Sequence, residues 1–404
     1  MEKLLEGIRV LDFTHVHAGP LCTYQLALMG ASVTKVESPQ GGDQMRNMGS
    51  SSTPGMSPGF LGQNANKRSI AVDLKTSSGN EIVRKLVSQT DVLVINMRPG
   101  TADRLGIGYD TCKELKSNIV YCAISGYGQT GPESDRPAMD HLMQGESGML
   151  NATGTQEQPA RVGFAIADSS TAVIASSAVN AALVRRERTG DGAYLDVSML
   201  ESSMTVMGLN YYGFLATGRI GPRPGANPLA SMGSAGTWQT KEGTLLVNAN
   251  NHRLFQRMAN AVGRPDLPSD PRFENDLQNS RNGQALRTIF AEIFITNTAK
   301  HWDKLLRDAG VPSGILKTPA ETIQHPQLAH RGTIGEIDNV PGMSEPLRFL
   351  GPGFILDSDP LVPSEPPPLL GQHTKEILTE LGYETTEIKG FLQRGDVAIP
   401  SESN

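Results

Sequence analysis

Ile8-Arg9-Val10-Leu11-Asp12-Phe13, then Pro20-Leu21-Cys22-Thr23-Tyr24-Gln25-Leu26-Ala27-Leu28-Met29-Gly30, then Ala31-Ser32-Val33-Thr34-Lys35-Val36-Glu37 decide the fold class. The outer runs are short, apolar and of strand length. The middle run has Pro at its front and Gly just past its end, the usual helix polarity. The alternation continues outward. Residues 70–74 read as extended, 78–88 as a helix with an apolar stripe at Ile82, Val83, Leu86 and Val87, and 91–96 as a buried strand. A short helix over 109–117 leads into a strand over 119–125. Apolar strands separated by helices imply βαβ units and a mostly parallel α/β sheet.

Further along, 126–168 is rich in Gly, Pro and polar residues and reads as loops with one helix over 141–150. Residues 169–187 form a helix dominated by Ala, Val and Ser, a composition suited to close helix packing. Arg188-Thr189-Gly190-Asp191-Gly192 is a turn, 194–198 a strand and 199–215 a helix. The Gly- and Pro-rich stretch 217–240 reads as a linker and mobile loop. A second, smaller unit starts near 245, with helices around 252–262, 279–295 and 299–309, and the chain returns to the first unit near 326. A Pro-rich stretch (Pro363, Pro366, Pro367, Pro368) precedes a final helix over 374–381.

Composition narrows the function classes. The 404 residues carry 36 Lys and Arg against 42 Asp and Glu, a net charge of −6, which argues against a nucleic-acid binder. Apolar residues make up 38% and charged residues 19%, a globular composition. No apolar run reaches 18 residues, so no membrane span is expected. The opening residues lack an apolar core and a cleavage pattern, and the three cysteines, Cys22, Cys112 and Cys122, suit neither a disulfide framework nor a zinc site. The expectation is a cytoplasmic protein with no metal.

Several motifs bear on chemistry. Gly126-Tyr127-Gly128-Gln129-Thr130-Gly131 matches a dinucleotide-binding pattern, but loop residues follow it where a helix is required. It reads better as backbone lining a ligand cleft. His15-Val16-His17 would place two imidazoles on one face of an extended chain, suiting a metal or, more plainly, the polar rim of a cleft. Lys67 and Arg68, and Arg98 with Arg104, are basic pairs at strand boundaries; they read either as solvated surface or as holders of a phosphorylated cofactor. Asp168 precedes a helix, either as its N-cap or as a carboxylate nucleophile kept ionised by the helix dipole.

Taken together, these pieces resemble the class III CoA-transferases, the formyl-CoA and carnitine CoA-transferase group. The likeness rests on Gly7-Ile8-Arg9-Val10-Leu11-Asp12 with Ala18-Gly19-Pro20, on Gly30 to Glu37 with Gly42-Asp43 and Arg46, and on Asn66-Lys67-Arg68-Ser69 with Asp73-Leu74-Lys75. It continues through Asp91 to Asn96 with Arg98-Pro99-Gly100, Ser125-Gly126-Tyr127-Gly128, Ser147-Gly148, Asp168, and Pro368 to Thr374. It implies a Rossmann-like large domain over 1–216 and 326–404, a linker and smaller α/β domain over 217–325, and an interlaced dimer. The implied activity moves CoA from an acyl-CoA donor to a carboxylic-acid acceptor through an aspartyl anhydride and an aspartyl-CoA thioester. Asp168 then falls at the nucleophile position. Val16, His17, Ala18, Leu74, Lys75, Asn96, Met97 and Arg104, with Lys67, Arg68 and Arg98, fall at or beside the CoA site. Gly128 and Asp140 fall at the active-site rim, and Gly233 and Gly236 in a glycine loop over it. Ser38 stands where some members carry a CoA-contacting Arg. CoA enters only as substrate, with no resident cofactor, nucleic acid or membrane. A homodimer is implied, with a heteromer as the alternative. Two other functions stay open: a 2-methylacyl-CoA racemase, whose acid–base pair needs a His where this chain has Met139, and a non-catalytic partner subunit.

Overall fold

The computed structural model of the chain describes residues 3–49, 55–225 and 232–400. Its strands are β1 (Arg9–Phe13), β2 (Ser32–Glu37), β3 (Lys67–Val72), β4 (Val92–Ile95), β5 (Val120–Ser125), β6 (Ala193–Ser198), β7 (Ala235–Gln239), β8 (Thr244–Asn248), β9 (Ser313–Ile315), β10 (Ile334–Ile337), β11 (Leu347–Leu350) and β12 (Val397–Ala398). Seven of them form one sheet, ordered β12-β3-β2-β1-β4-β5-β6. All neighbours run parallel except β12, which closes the edge antiparallel to β3. The expected mostly parallel α/β sheet is thus borne out.

The chain divides into two units: 1–149, 162–212 and 326–404 form the first, 150–161 and 213–325 the second. Against the expected boundaries, residues 150–161 and 213–216 fall with the second unit.

In the first unit both sheet faces are covered, which is why β4 and β5 read as continuous apolar runs. Successive residues alternate between two cores. Leu11, Phe13, Leu93 and Ile95 pack with Ile82, Leu86 and Ile377 on one face. Val10, Val33, Val92 and Val94 pack on the other with helices α1 (Ala18–Leu28) and, later in the chain, Ile166–Thr189. Small side chains make that helix pair possible: Ala172, Ala175 and Val179 share a core with Ala18, Cys22 and Leu26. The three cysteines are free and buried.

Under the carboxyl edge of β1 lies a fully buried ion cluster. The Lys67 ammonium bonds the Asp12 carboxylate (3.0 Å), the Pro20 carbonyl (2.9 Å), the Thr23 hydroxyl (2.9 Å) and the Asn64 amide oxygen (3.0 Å). Lys35 lies 3.1 Å from Asp43 and 3.9 Å from Asp12. Arg46 pairs with Glu37 through two bonds of 2.8 and 2.7 Å and stacks on Phe60. Burial alone would raise the Asp12 pKa, but Lys35, Lys67 and the Thr14 and Thr23 hydroxyls hold it well below the usual carboxylate range. Burial pushes Lys67 down to about 8 against the pull of Asp12.

The second unit has a three-stranded antiparallel sheet, β7-β8-β9. It packs on an aromatic core of Trp238, Phe255, Phe290, Phe294 and Trp302, with ring pairs mostly edge to face.

The structure departs from the sequence reading in several elements. The long helix starts at Ile166, so Asp168 sits in its first turn rather than before it, and Ala165 is the N-cap. The helix expected over 199–215 is two, Met199–Val206 and Gly208–Thr217. Part of the expected mobile loop, 235–239, is strand β7, because it pairs along its whole length with β8; residues 226–231 of that stretch lie outside the described residues. The β10–β11 hairpin, helix Thr385–Arg394 and β12 were not expected.

Lys67→Ala leaves a buried carboxylate without its closest cation. It should cost about 3–5 kcal/mol in denaturant-induced unfolding. A loss below about 1 kcal/mol would show that the cluster does not carry this edge of the sheet.

Candidate active site

Strands β1, β3, β4 and β5 are parallel, so the segments after them emerge at one carboxyl edge, the usual ligand-binding edge of an open α/β sheet. There lie Thr14 to Ala18 after β1, Leu74 and Lys75 after β3, Asn96 to Arg98 after β4 and Gly126 to Gly128 after β5.

Side chains from elsewhere hold the turn after β1. Thr14 N–H donates to Asp12, and the Thr14 carbonyl accepts from Lys35 Nζ at 2.6 Å. His15 N–H donates to Asn96 Oδ1 (2.9 Å) while Asn96 Nδ2 donates to the His15 carbonyl (2.7 Å). Val16 N–H donates to Asp43 Oδ1 at 2.9 Å. Val16 itself has φ +69°, the left-handed region, which costs a β-branched residue about 1–3 kcal/mol. This reversal sends the two imidazoles apart, correcting the expectation of a shared face. His15 Nδ1 faces Asp43 at 3.8 Å, whereas His17 Nε2 lies 2.9 Å from the Ser169 hydroxyl. Among the described residues, no group of three or more His, Cys, Asp or Glu side chains could hold a metal ion.

Ser169 follows Asp168 in the first turn of Ile166–Thr189. The Ala165 N-cap offers no side-chain acceptor. Asp140, opening helix Asp140–Glu146, takes that role instead: its Oδ1 accepts from Ala167 N–H (2.8 Å) and Asp168 N–H (3.4 Å). Gln144 Nε2 donates to Asp140 Oδ2 at 2.7 Å, and Gln144 Oε1 accepts from Val162 N–H at 2.9 Å. Asp140 therefore occupies the positive end of the helix that sequence reasoning assigned to Asp168. Burial, with the Asp140 charge beside it, pushes the Asp168 carboxyl up to about 7. Burial and the neighbouring carboxylate thus act against the dipole-held anion expected for Asp168. Burial lowers the His17 pKa, with Asp140 and Gln63 opposing.

Of the other anticipated residues, Lys67 is committed to the ion cluster, and Arg68 pairs with Glu376 and Glu380 on helix Thr374–Glu380. Leu74 and Met97 are partly buried against the core. Lys75, Arg98 and Arg104 are exposed, Arg104 donating to Thr101. Gly128 N–H donates to Ser125 Oγ at 3.0 Å with φ +96°, a turn only glycine takes without strain. Turns rather than a helix follow it. Gly233 and Gly236 belong to the second unit. Gly233 donates to Asn279 and packs on Gly283, and Gly236 is in β7. Gln63, Gln144 and Ser169 went unnoticed; for Ser169 no local pattern marks a hydroxyl whose partner, His17, lies 152 positions earlier.

Comparison with known proteins places this geometry. The family profile described as CoA-transferase family III matches residues 5–374. The chain is 34% identical over 401 residues to succinyl-CoA:glutarate CoA-transferase of Mus musculus, covering 97% of this chain and 90% of that protein. It is 33% identical over 402 residues to succinate–glutarate CoA-transferase of Agrobacterium fabrum, covering 95% and 96%. Among solved structures, a CAIB/BAIF family protein from Brucella suis aligns with TM-score 0.84 at 29% identity, over 94% of this chain and 100% of that one.

Because its pKa is raised, Asp168 adds stability below its ordinary 3.8 that is lost as pH rises through about 7. Asp168→Asn, which never charges, should therefore melt higher than the parent at pH 8. The gap should close by about pH 4. Equal melting curves at pH 8 would contradict the burial.

Proposed function

Since the chain belongs to CoA-transferase family III, we propose that Asp168 is acylated in every turnover of an acyl-CoA:carboxylate CoA transfer. The Asp168 carboxylate attacks the donor thioester carbonyl, forming a mixed anhydride and releasing CoA thiolate. The thiolate attacks the aspartyl carbonyl of that anhydride, giving aspartyl-CoA thioester and the free donor acid. The acceptor carboxylate attacks this thioester, again forming an anhydride and thiolate. Thiolate attack on the acceptor's acyl carbon then releases the new acyl-CoA and restores Asp168. No bond is hydrolysed, and one difficult step becomes several easier ones.

The observation that carries this reading is the Asp168 carboxyl itself: set in a first helical turn, pushed up to about 7, and followed by Ser169, whose hydroxyl lies 2.9 Å from His17 Nε2. A carboxylate whose pKa is raised in this way is, when ionised, more basic and more nucleophilic than an ordinary aspartate. The first backbone N–H groups of helix Ala18–Leu28 are our candidates for the oxyanion site, each donor worth about 3–4 kcal/mol. Gly233 N–H, spent on Asn279, is not among them. We assign Lys67 and Arg68 to the scaffold because their charges are already paired. Lys75, Arg98 and Arg104 remain for CoA phosphates. The names of the relatives point to dicarboxylic substrates, so succinyl-CoA with glutarate is the first pair to assay. Exposed Leu209 and Tyr212 support the interlaced homodimer.

Asp168→Ala should reduce transfer to below about 1% of the parent while free CoA still binds. Mass spectrometry after incubation with donor alone should find CoA or acyl mass on the peptide bearing Asp168. An unmodified peptide during turnover would defeat the covalent route, and solvent deuterium at Cα of a 2-methylacyl-CoA would favour racemisation. Asp140→Asn keeps an acceptor for Ala167 but removes the like charge. It should move the acid limb of the pH–rate profile, near 7 in the parent, to lower pH.

A further inference from the structure

From the contacts around the first turn, we infer that Asp43 is a positioning residue that sets the CoA subsite by fixing the backbone of Val16, with Asn96 as its counterpart on the other side of the turn. The inference rests on reading that turn as part of the CoA site.

Asp43 has a fully buried side chain, so it cannot touch a ligand. Its Oδ1 accepts from Val16 N–H (2.9 Å) and Met45 N–H (2.9 Å), and its Oδ2 lies 3.1 Å from Lys35 Nζ. Lys35 in turn holds the Thr14 carbonyl. From β4's end, Asn96 makes two bonds to His15, one to its N–H and one to its carbonyl. Asn96 was expected beside the CoA site, yet both ends of its amide are spent on His15. Three adjoining residues, Thr14, His15 and Val16, are thus held by side chains from β1, β2, the segment after β2 and the segment after β4. The last of the three, Val16, is a β-branched residue at φ +69°. Strain of this kind persists only where surrounding contacts over-determine it, and it concentrates at ligand clamps. Released, Val16 would relax and the turn after β1 would lose the shape these contacts give it.

The test is calorimetric titration of free CoA into the parent, Asp43→Ala, Asp43→Asn and Asn96→Ala, beside steady-state kinetics. Asp43→Ala and Asn96→Ala should weaken CoA binding and raise the donor KM about tenfold, with kcat at saturation within about threefold of the parent. Asp43→Asn, which keeps an oxygen for Val16 N–H but lacks the charge that faces Lys35, should lie between Asp43→Ala and the parent in both. An unchanged Kd in a folded Asp43→Ala or Asn96→Ala overturns the proposal, as does an Asp43→Asn loss equal to that of Asp43→Ala. Should Asp43→Ala not fold, Asn96→Ala and Asp43→Asn decide by the same criteria. A parent that binds no CoA overturns this proposal and the functional reading together. A parent that binds CoA tightly but forms no Asp168 adduct, with the variants weakened as stated, upholds the clamp and removes only the covalent route.

Discussion

Three buried carboxylates, Asp12, Glu37 and Asp43, face three buried cations, Lys35, Arg46 and Lys67, beneath the carboxyl edge of the sheet. Taking ions out of water is expensive, and mutual attraction repays it only where geometry and further hydrogen bonds are good. Both conditions are met, since every one of these side chains also bonds backbone or a neutral side chain. Such a cluster is poor evidence for extra stability and better understood as specifying one arrangement. The arrangement it specifies is the exit of β1, where the chain must reverse sharply before entering its first helix.

Asp168 is set by the opposite logic. Around Asp12 cations overcome burial, whereas at Asp168 burial is joined by the charge of a second carboxylate, Asp140. Asp140 serves the helix, accepting the N–H groups that would otherwise be orphaned, and its charge adds to burial in raising the Asp168 pKa. One residue thereby caps the helix that carries Asp168 and shifts that carboxyl's basicity. Perturbed carboxyls of this kind gather at reactive sites.

Much of the first unit's sheet was legible because β4 and β5, buried along their length, read as unbroken apolar runs, while β1, β2 and β6 keep apolar residues among polar ones over strand-length segments. What lay inside those runs was not. Lys67 looked like a phosphate ligand because its partner Asp12 is 55 positions away, and sequence carries no sign of that pairing. Helix Thr385–Arg394 escaped because Ile388 is its only fully buried residue, too thin a stripe to register as periodic. β7 hid among glycines and a tryptophan whose role depends on strand β8. The place of Asp168 was readable through family likeness, but its protonation was not, since that depends on a carboxylate 28 residues earlier folding back onto the helix end.

The buried cysteines have a practical meaning. Burial raises the Cys22 thiol well above its ordinary value and pushes Cys112 and Cys122 up to about 12, so at neutral pH none supplies a thiolate. A chain that handles activated acyl groups therefore presents no sulfur of its own to intercept them. In a reaction vessel, a chromogenic disulfide reagent would register coenzyme lost from the transfer cycle by hydrolysis against a silent protein background.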